Sequence, residues 1–300
     1  MLNINLKRKS KSDIIFNIIL FIFMIFFVVV TLYPILNTLA ISFNDGIDSV
    51  RGGVYLWPRM FTLKNYQTVF RNNNLMQAAF ISVSRTVIAT VVQVFLTAML
   101  AYVLSRKDFV FKKQISFIYV LTMYVNGGMI PNYILIKELG LLNNFLVYIL
   151  PGLVSAFNMI VIRTYINGLP ESLIESAKID GAGELRIFMQ IILPLCKPVL
   201  ATVALFIAVG QWNSWFDAML YASGNPKLTT LQYELMKLLS SSTQQGGTGT
   251  AEMVKNAGNL VTPKSLRAAI TIVTAFPIVC LYPFLQKYFV SGLTIGGVKE

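Results

Sequence analysis

The sequence contains no histidine. That removes the commonest metal ligand and the commonest general base near neutral pH. Charge is scarce: 13% of the 300 residues are Asp, Glu, Lys or Arg, against about 25% in a soluble domain. There are two cysteines, Cys196 and Cys280, both in or beside apolar runs. Two isolated thiols make neither a disulfide framework nor a zinc site. No G-x-x-x-x-G-K-[ST] phosphate loop occurs, and no Gly-Lys pair at all, so that route to ATP is closed within this chain. No G-x-S-x-G or clustered acid, base and nucleophile points to a membrane enzyme.

Apolar residues are abundant instead. They make up 55% of the chain, with a mean hydropathy of +0.65. They gather in runs of about 20, the length that carries a helix across roughly 30 Å of hydrocarbon. The pattern predicts an all-α integral membrane protein with six transmembrane helices: Ile14–Leu36, Ala78–Leu104, Ile115–Ile130, Phe145–Ile162, Pro198–Leu220 and Leu266–Phe289. The third is short and broken by Asn126–Gly128, and the sixth contains Pro277 and Pro283. The permease-like region is thus 14–290, between tails 1–13 and 291–300.

The net charge of +12 serves topology rather than nucleic acid, because basic residues flank the apolar runs. Lys7, Arg8, Lys9 and Lys11 precede the first run; Arg106, Lys107, Lys112 and Lys113 follow the second; Arg163, Lys178, Arg186 and Lys197 separate the fourth from the fifth. The positive-inside rule places these segments and both termini in the cytoplasm. Segments 131–144 and 221–267 then face outward. The latter includes the polar stretch Ser240–Thr250, read as flexible. Arg85, inside the second span, is expected to snorkel to the outer surface. Richness in Ile, Phe, Asn, Lys and Tyr fits an AT-rich bacterial genome.

One cytoplasmic segment departs from the oily pattern: "ESAKIDGAGELRIFMQIILPLCKP", Glu175–Pro198. Within 170–198, Pro170 suits a first helical position and Glu171–Ile179 is a short amphipathic helix. Asp180-Gly181 makes a turn, and a second helix follows until Pro194 and Pro198 end or kink it. Two short helices can form a knob for a groove on a soluble partner, or lie along the membrane surface. The amphipathic pattern fits both.

The segment resembles the cytoplasmic loop signature of ATP-binding-cassette importer permeases. Glu175, Ala177, Asp180, Gly181, Ala182, Phe188, Ile191, Leu193, Pro194 and Pro198 stand at the spacing of the carbohydrate type, with Ser176 where alanine is usual. "LYPILNTLAISFN" (Leu32–Asn44), "FTLKNY" (Phe61–Tyr66), "NGGMIPNYILIKELGLLNN" (Asn126–Asn144), "WNSWFDAML" (Trp212–Leu220) and "GLTIGGVKE" (Gly292–Glu300) extend the likeness over nearly the whole chain. They resemble the maltose-permease type, and most of all its lipoprotein and polysaccharide transport branch.

That resemblance implies a type I importer permease of the bacterial plasma membrane, moving an oligosaccharide by alternating access. It implies a second homologous permease as heterodimer partner, an ATPase dimer and an extracellular solute-binding lipoprotein. It implies no cofactor in this chain, with ATP and Mg on the ATPase subunits. Glu175, Ala177, Asp180, Gly181, Ala182, Phe188 and Pro194 would couple to the ATPase. Glu175 and Asp180 would either hold the knob's fold or pair with basic residues of the ATPase, and Gly181 would set the turn.

Polar groups inside spans are costly and often face a cavity. Gln211, Trp212, Asn213, Ser214, Trp215 and Asp217 are the densest such set, suited by aromatic faces and amide or carboxylate acceptors to a sugar. On a continuous helix Asn213 and Asp217 share one face and Gln211 and Trp215 another. Arg85, Gln93, Tyr124, Asn126 and Asn158 are further candidates. Interfacial tryptophans and helix-gluing amides explain such residues equally well. An ATP-independent secondary transporter is the rival class.

Overall fold

The structure is a computed structural model that describes residues 11–71, 73–241 and 261–294, with the backbone alone for 11, 241 and 281–294. Most of the two expected tails and nearly all of the polar stretch Ser240–Thr250 lie outside the described residues. The regular structure described is helical, with one isolated bridge between Asn44 and Phe61. The chain divides into two compact units, 1–69 with 241–273 and 70–240 with 274–300.

The first unit begins with α1, Lys11–Ser42. It runs six residues past the expected end at Leu36, and every side chain from Ser12 to Leu36 is exposed. A helix apolar on all sides and this long is a candidate to cross a membrane. Asp45 then caps α2, Gly46–Arg51, its carboxylate accepting from the backbone N–H groups of Ile47 and Asp48. Segment 37–77 is therefore folded, with α2 and α3, Lys64–Arg71, inside it.

A buried polar lock organises this unit. The Asn65 amide donates to the carbonyls of Ser42 and Asn44 at 2.9 Å each and accepts from Ser265 Oγ at 2.9 Å. The Asn44 amide donates to Asp48 and to Ser49 Oγ, while its carbonyl accepts from Met60 N–H. Asn44, Asn65 and Ser265 are fully buried. Ser265 stands at the start of the last helix, α14, Pro263–Thr294, which continues through Pro277 and Pro283. Thr262 Oγ1 also donates to the Gly46 carbonyl, and Lys264 to that of Ser49.

The second unit is built on α4, Asn73–Ser105, close to the expected second span. It packs against α7, Ala156–Asn167, and α11, Lys197–Asn213. Ala98, Ala101, Leu104, Met159, Ile162 and Val203 form the centre of that core. The alanines let helix backbones approach closely, which is how helices associate where lipid is as apolar as the side chains.

The remaining expected spans are interrupted. In the third, α5 (Lys112–Tyr124) stops before Val125, and α6 (Met129–Glu138) starts after Gly128 at φ 88°. Glycine adopts that backbone without penalty, so "NGG" ends the helix rather than bending it. The fourth is two 3-10 turns, Phe145–Tyr148 and Leu150–Gly152, followed at 51° by α7. The fifth ends at Asn213, because Ser214 is extended, and α12, Phe216–Tyr221, is separate. Segment 221–267 contains α13, Leu231–Ser241, as well as loop. Among the described residues, then, three helices are long and apolar enough to cross a membrane, or five spans if each bent pair counts as one.

Asn65→Leu strands the two carbonyls that its amide satisfies. We expect a loss of about 2–3 kcal/mol, read as a lower thermal midpoint of the detergent-solubilised chain; an unchanged midpoint would remove the lock from the unit's stability.

Candidate functional site

Residues 170–198 fold as helix, turn and helix. α8 is Ser172–Ile179, with Glu171 at its N-cap and the Pro170 carbonyl accepting from Leu173 N–H. Gly181 at φ 76° makes the turn, and Gly181 N–H and Ala182 N–H close it onto the Lys178 and Ala177 carbonyls. α9, Glu184–Ile187, continues through a π-turn at Phe188–Ile192 into α10, Leu193–Leu195. Pro194 explains the π-turn. It has no N–H to continue the α ladder, and the Leu193 N–H bonds instead to the carbonyl of Phe188. The chain from Glu184 to Leu195 then turns by 81° into α11.

The segment has two distinct faces. Ile174, Ala177, Ile187, Phe188 and Ile192 are buried in the α4–α7–α11 core. Phe188 lies 5.5 Å from the Tyr102 ring and 6.0 Å from that of Phe95, both on α4. Ile179 is 86% exposed, and Leu173, Leu185 and Met189 are exposed with it. Of the coupling candidates, Ala177 and Phe188 therefore face inward, Ala182 is half-buried, and Glu175, Asp180, Gly181 and Pro194 face outward.

Charge ties the segment to the loop after α4. Glu184 accepts from Tyr102 Oη at 2.5 Å and pairs with Lys178 at 2.8 Å; Lys178 also reaches Asp108 at 3.5 Å. Lys107 pairs with Glu171. The Lys107 ammonium beside Glu171 holds that carboxyl below the usual carboxylate range, and the bond to Glu184 raises Lys178. Both pairs are charged at neutral pH. The Glu175 and Asp180 carboxylates, in contrast, make no hydrogen bond or ion pair among the described residues, and the side-chain ties of the segment run through Glu184, Lys178, Lys107, Glu171 and Asp108. Clustered charges flanking the signature were the available signal for these five.

A second polar cluster lies where α11 breaks. Arg85 on α4 is 1% exposed. Its Nη2 donates to Asp217 Oδ2 at 2.5 Å and its Nη1 to Oδ1 at 3.1 Å. Its Nε and Nη2 also donate to Gln211 Oε1, at 3.1 and 2.8 Å. The guanidinium stands 4.3 Å over the Tyr148 ring, and the Gln211 amide donates to the Tyr148 carbonyl at 3.3 Å. Arg85 thus does not snorkel. Its partners sit within reach, and a bidentate pair with a bridging amide satisfies it inside the protein.

The break places Asp217 there. Asp217 Oδ1 accepts from Ser214 Oγ and from Ala218 N–H, both at 2.9 Å, in the first turn of α12, where a negative charge is favoured. Asn213 and Asp217 consequently do not share a helix face. Asn213 ends α11 exposed, and Trp215 lies between the helices, edge-on to Phe216 at 5.8 Å. Trp212 is buried, its indole N–H on the Thr274 carbonyl at 2.9 Å. Tyr124 is exposed at the end of α5, Asn126 caps its own turn by accepting from Gly128 N–H, and Asn158 is buried in the first turn of α7. Gln211 and Asp217 are thus gathered on Arg85, while Tyr124, Asn126 and Asn158 do not join that cluster. Tyr148 was missed; a tyrosine in a broken apolar run carries no distinctive sequence signal.

Removing one partner of such a pair leaves a charge without a counter-ion. Arg85→Met is expected to cost about 3 kcal/mol, and Arg85→Met with Asp217→Asn to cost less, both read as thermal midpoints in detergent. Equal losses in the single and double variants would show that the two charges are not coupled.

No family profile matches the chain. Curated relatives do. A polygalacturonan/rhamnogalacturonan transport system permease protein, YtcP of Bacillus subtilis (strain 168), is 35% identical over 95% of this chain and 98% of its own length. Protein LplC of the same organism is 36% identical over 100% of both chains. The arabinooligosaccharide permease AraQ of Halalkalibacterium halodurans is 29% identical over 97% of this chain and 99% of its own. Among solved structures, a bacterial ABC transporter involved in import of the acidic polysaccharide alginate matches with a TM-score of 0.86 and 29% identity, covering 94% of this chain and 99% of that one.

Proposed function

Since the chain belongs to the permease subunits of sugar ABC importers, we propose that it moves an oligosaccharide from an extracellular binding protein into a bacterial cytoplasm. It is a multi-pass membrane transport subunit, not an enzyme, and ATP and Mg belong to separate ATPase partners. Family membership sets aside the ATP-independent transporter and the membrane enzyme.

The observation that carries the mechanism is the two-faced segment 170–198. Its inner face is fixed to α4, α7 and α11, while Ile179, Glu175 and Asp180 are left uncovered. An apolar tip flanked by unpaired carboxylates suits a groove with a basic rim. In this reading α8 docks on an ATPase dimer, whose closure moves the knob and reorients the spans so that the pathway alternately faces each side. A second homologous permease completes the pathway as a heterodimer. A solute-binding lipoprotein delivers the sugar, and both termini lie in the cytoplasm. Counting α5 with the five spans above gives six.

Sugar contact within this chain falls to the residues that the Arg85 cluster leaves uncovered. Asn213 and Trp215 offer an amide and an aromatic face beside the break in α11. The names of the relatives support oligosaccharides of plant or algal wall polymers, uronate-containing ones among them, as the first substrates to try.

Gly181→Val forces a β-branched residue to φ 76° where no neighbouring atom obstructs it, so its effect is backbone strain at the knob's turn. Membrane insertion is expected to persist while oligosaccharide uptake falls at least tenfold, and Gly181→Asn, which tolerates this backbone, to retain most uptake. Equal uptake in all three chains, at equal amounts in the membrane, would refute docking through this turn. Mild pull-down of the wild-type chain is expected to recover an ATPase, a second permease and a binding lipoprotein; the chain alone would overturn the assembly.

A further inference from the structure

Apolar packing alone holds the knob's first helix weakly. Of the eight residues of α8, Ile174 and Ala177 are buried. Two side chains do not fix the direction of a helix this short, and the turn that follows it pivots on Gly181 at φ 76°. Charge adds the missing direction, at both ends. Glu171, at the N-cap, pairs with Lys107, and Lys178, in the last turn, pairs with Glu184.

The two ties differ in what lies behind them. The Lys107 side chain is 78% exposed, and a pair so open to solvent contributes little. Lys178 and Glu184 are partly exposed as well, but the carboxylate of Glu184 also reaches inward. Its Oε1 pairs with Lys178 Nζ at 2.8 Å across the Gly181 turn. Its Oε2 accepts from Tyr102 Oη at 2.5 Å. Tyr102 is 4% exposed. Its ring lies 5.5 Å from that of Phe188, and the Arg106 guanidinium stands 5.1 Å from its centre. The tie therefore runs from a fixed residue of α4, through one carboxylate, to the last turn of α8. Its inner foot is buried by this chain's own side chains, whatever the outer face meets. Lys178 also reaches Asp108, in the loop that follows α4.

We propose that Tyr102 and Glu184 are positioning residues for docking. Together they hold α8 at one angle to α4, so that Ile179, Glu175 and Asp180 meet the ATPase as a set. The inference rests on the reading that α8 docks there. Neither residue has to touch the ATPase, since Tyr102 acts through Glu184 and Glu184 through Lys178. A charge-assisted hydrogen bond is short and directional, and a preformed docking shape avoids the ordering cost that a swinging helix would add.

Tyr102→Phe is the decisive variant, because it removes one hydroxyl of a buried residue and alters no exposed charge. The chain is pulled down with its partners in mild detergent and washed over a salt series. The ATPase and the second permease are then quantified against it. At a salt concentration where the wild type keeps its ATPase, Tyr102→Phe is expected to retain about fivefold less, the fold-change of one hydrogen bond to a charged group. The second permease is expected in full. Glu184→Gln keeps an acceptor for Tyr102 but releases Lys178, and it gives the same readout should the first variant not fold. Wild-type retention of the ATPase in both variants would overturn the positioning role. Parallel loss of ATPase and second permease would show that the tie serves the fold alone, and would overturn the role equally. A wild-type chain that recovers the second permease but no ATPase would refute the docking reading itself, and this inference with it.

Discussion

The pairing of Arg85 with Asp217 is the interaction on which the central arrangement turns. A cation buried among apolar helices has no water to turn to, and its cost is met only by a counter-ion with good geometry. Asp217 can serve because α11 ends at Asn213 and the chain re-enters a helix at Phe216. The break and the pair depend on each other. An unbroken helix would carry Asp217 a full turn beyond Asn213, and the acid would lose the local donors from Ser214 and Ala218 that orient it. The cluster also links α4, the Phe145–Tyr148 turn, α11 and α12 through one guanidinium and one amide. It closes on itself, which is why it holds helices together.

Interruption recurs through the second unit, and three of the breaks have an identifiable chemical cause. Glycine at positive φ starts α6, Pro151 lies in the turn before α7, and Pro194 displaces a hydrogen bond into a π-turn. Such breaks are tolerated in a membrane protein only where the freed groups find partners in the protein. The Gln93 amide, set on α4 and aimed at the Ile149 carbonyl at 3.4 Å, serves the break between the two 3-10 turns in this way. A polar residue buried in a span can therefore be the counterpart of a break in another span.

This also explains what the sequence made legible and what it did not. The apolar runs announced α1, α4 and α14 because length and hydropathy are local properties. The helix, turn and helix at 170–198 were legible from Pro170, Gly181 and amphipathic spacing. The break in the third span was legible from Asn126–Gly128, but the fourth and fifth were read as continuous, since a Ser214 in extended conformation looks like any other serine in a hydrophobic run. Arg85 was placed at the surface because snorkelling is the local answer to a charge in a span. The non-local answer needed one further step: Arg85 and Asp217 were the ionisable groups well inside the expected spans, and opposite charges in that setting are each other's most favourable partners. Apolar spacing also marks the inward faces of 170–198, where Ile174, Ala177, Ile187, Phe188 and Ile192 are buried while Leu173 is exposed.

Packing at this segment bears directly on how motion could pass through the chain. Phe188 is 2% exposed and wedged against two aromatic rings of α4, and Glu184 is bonded to Tyr102 of the same helix. Well-packed interiors deform little, so a displacement of α8 cannot be absorbed at that joint. Its partner there is α4, the helix that also carries Arg85 in its first half. The 81° turn after Leu195 gives α11 a different direction from the segment that precedes it. A rigid joint at one end of α4 and a closed ionic cluster toward the other make the helix a lever with both attachments specified. The exposed carboxylates Glu175 and Asp180 sit outside that lever, free of internal partners, where a load would have to be applied.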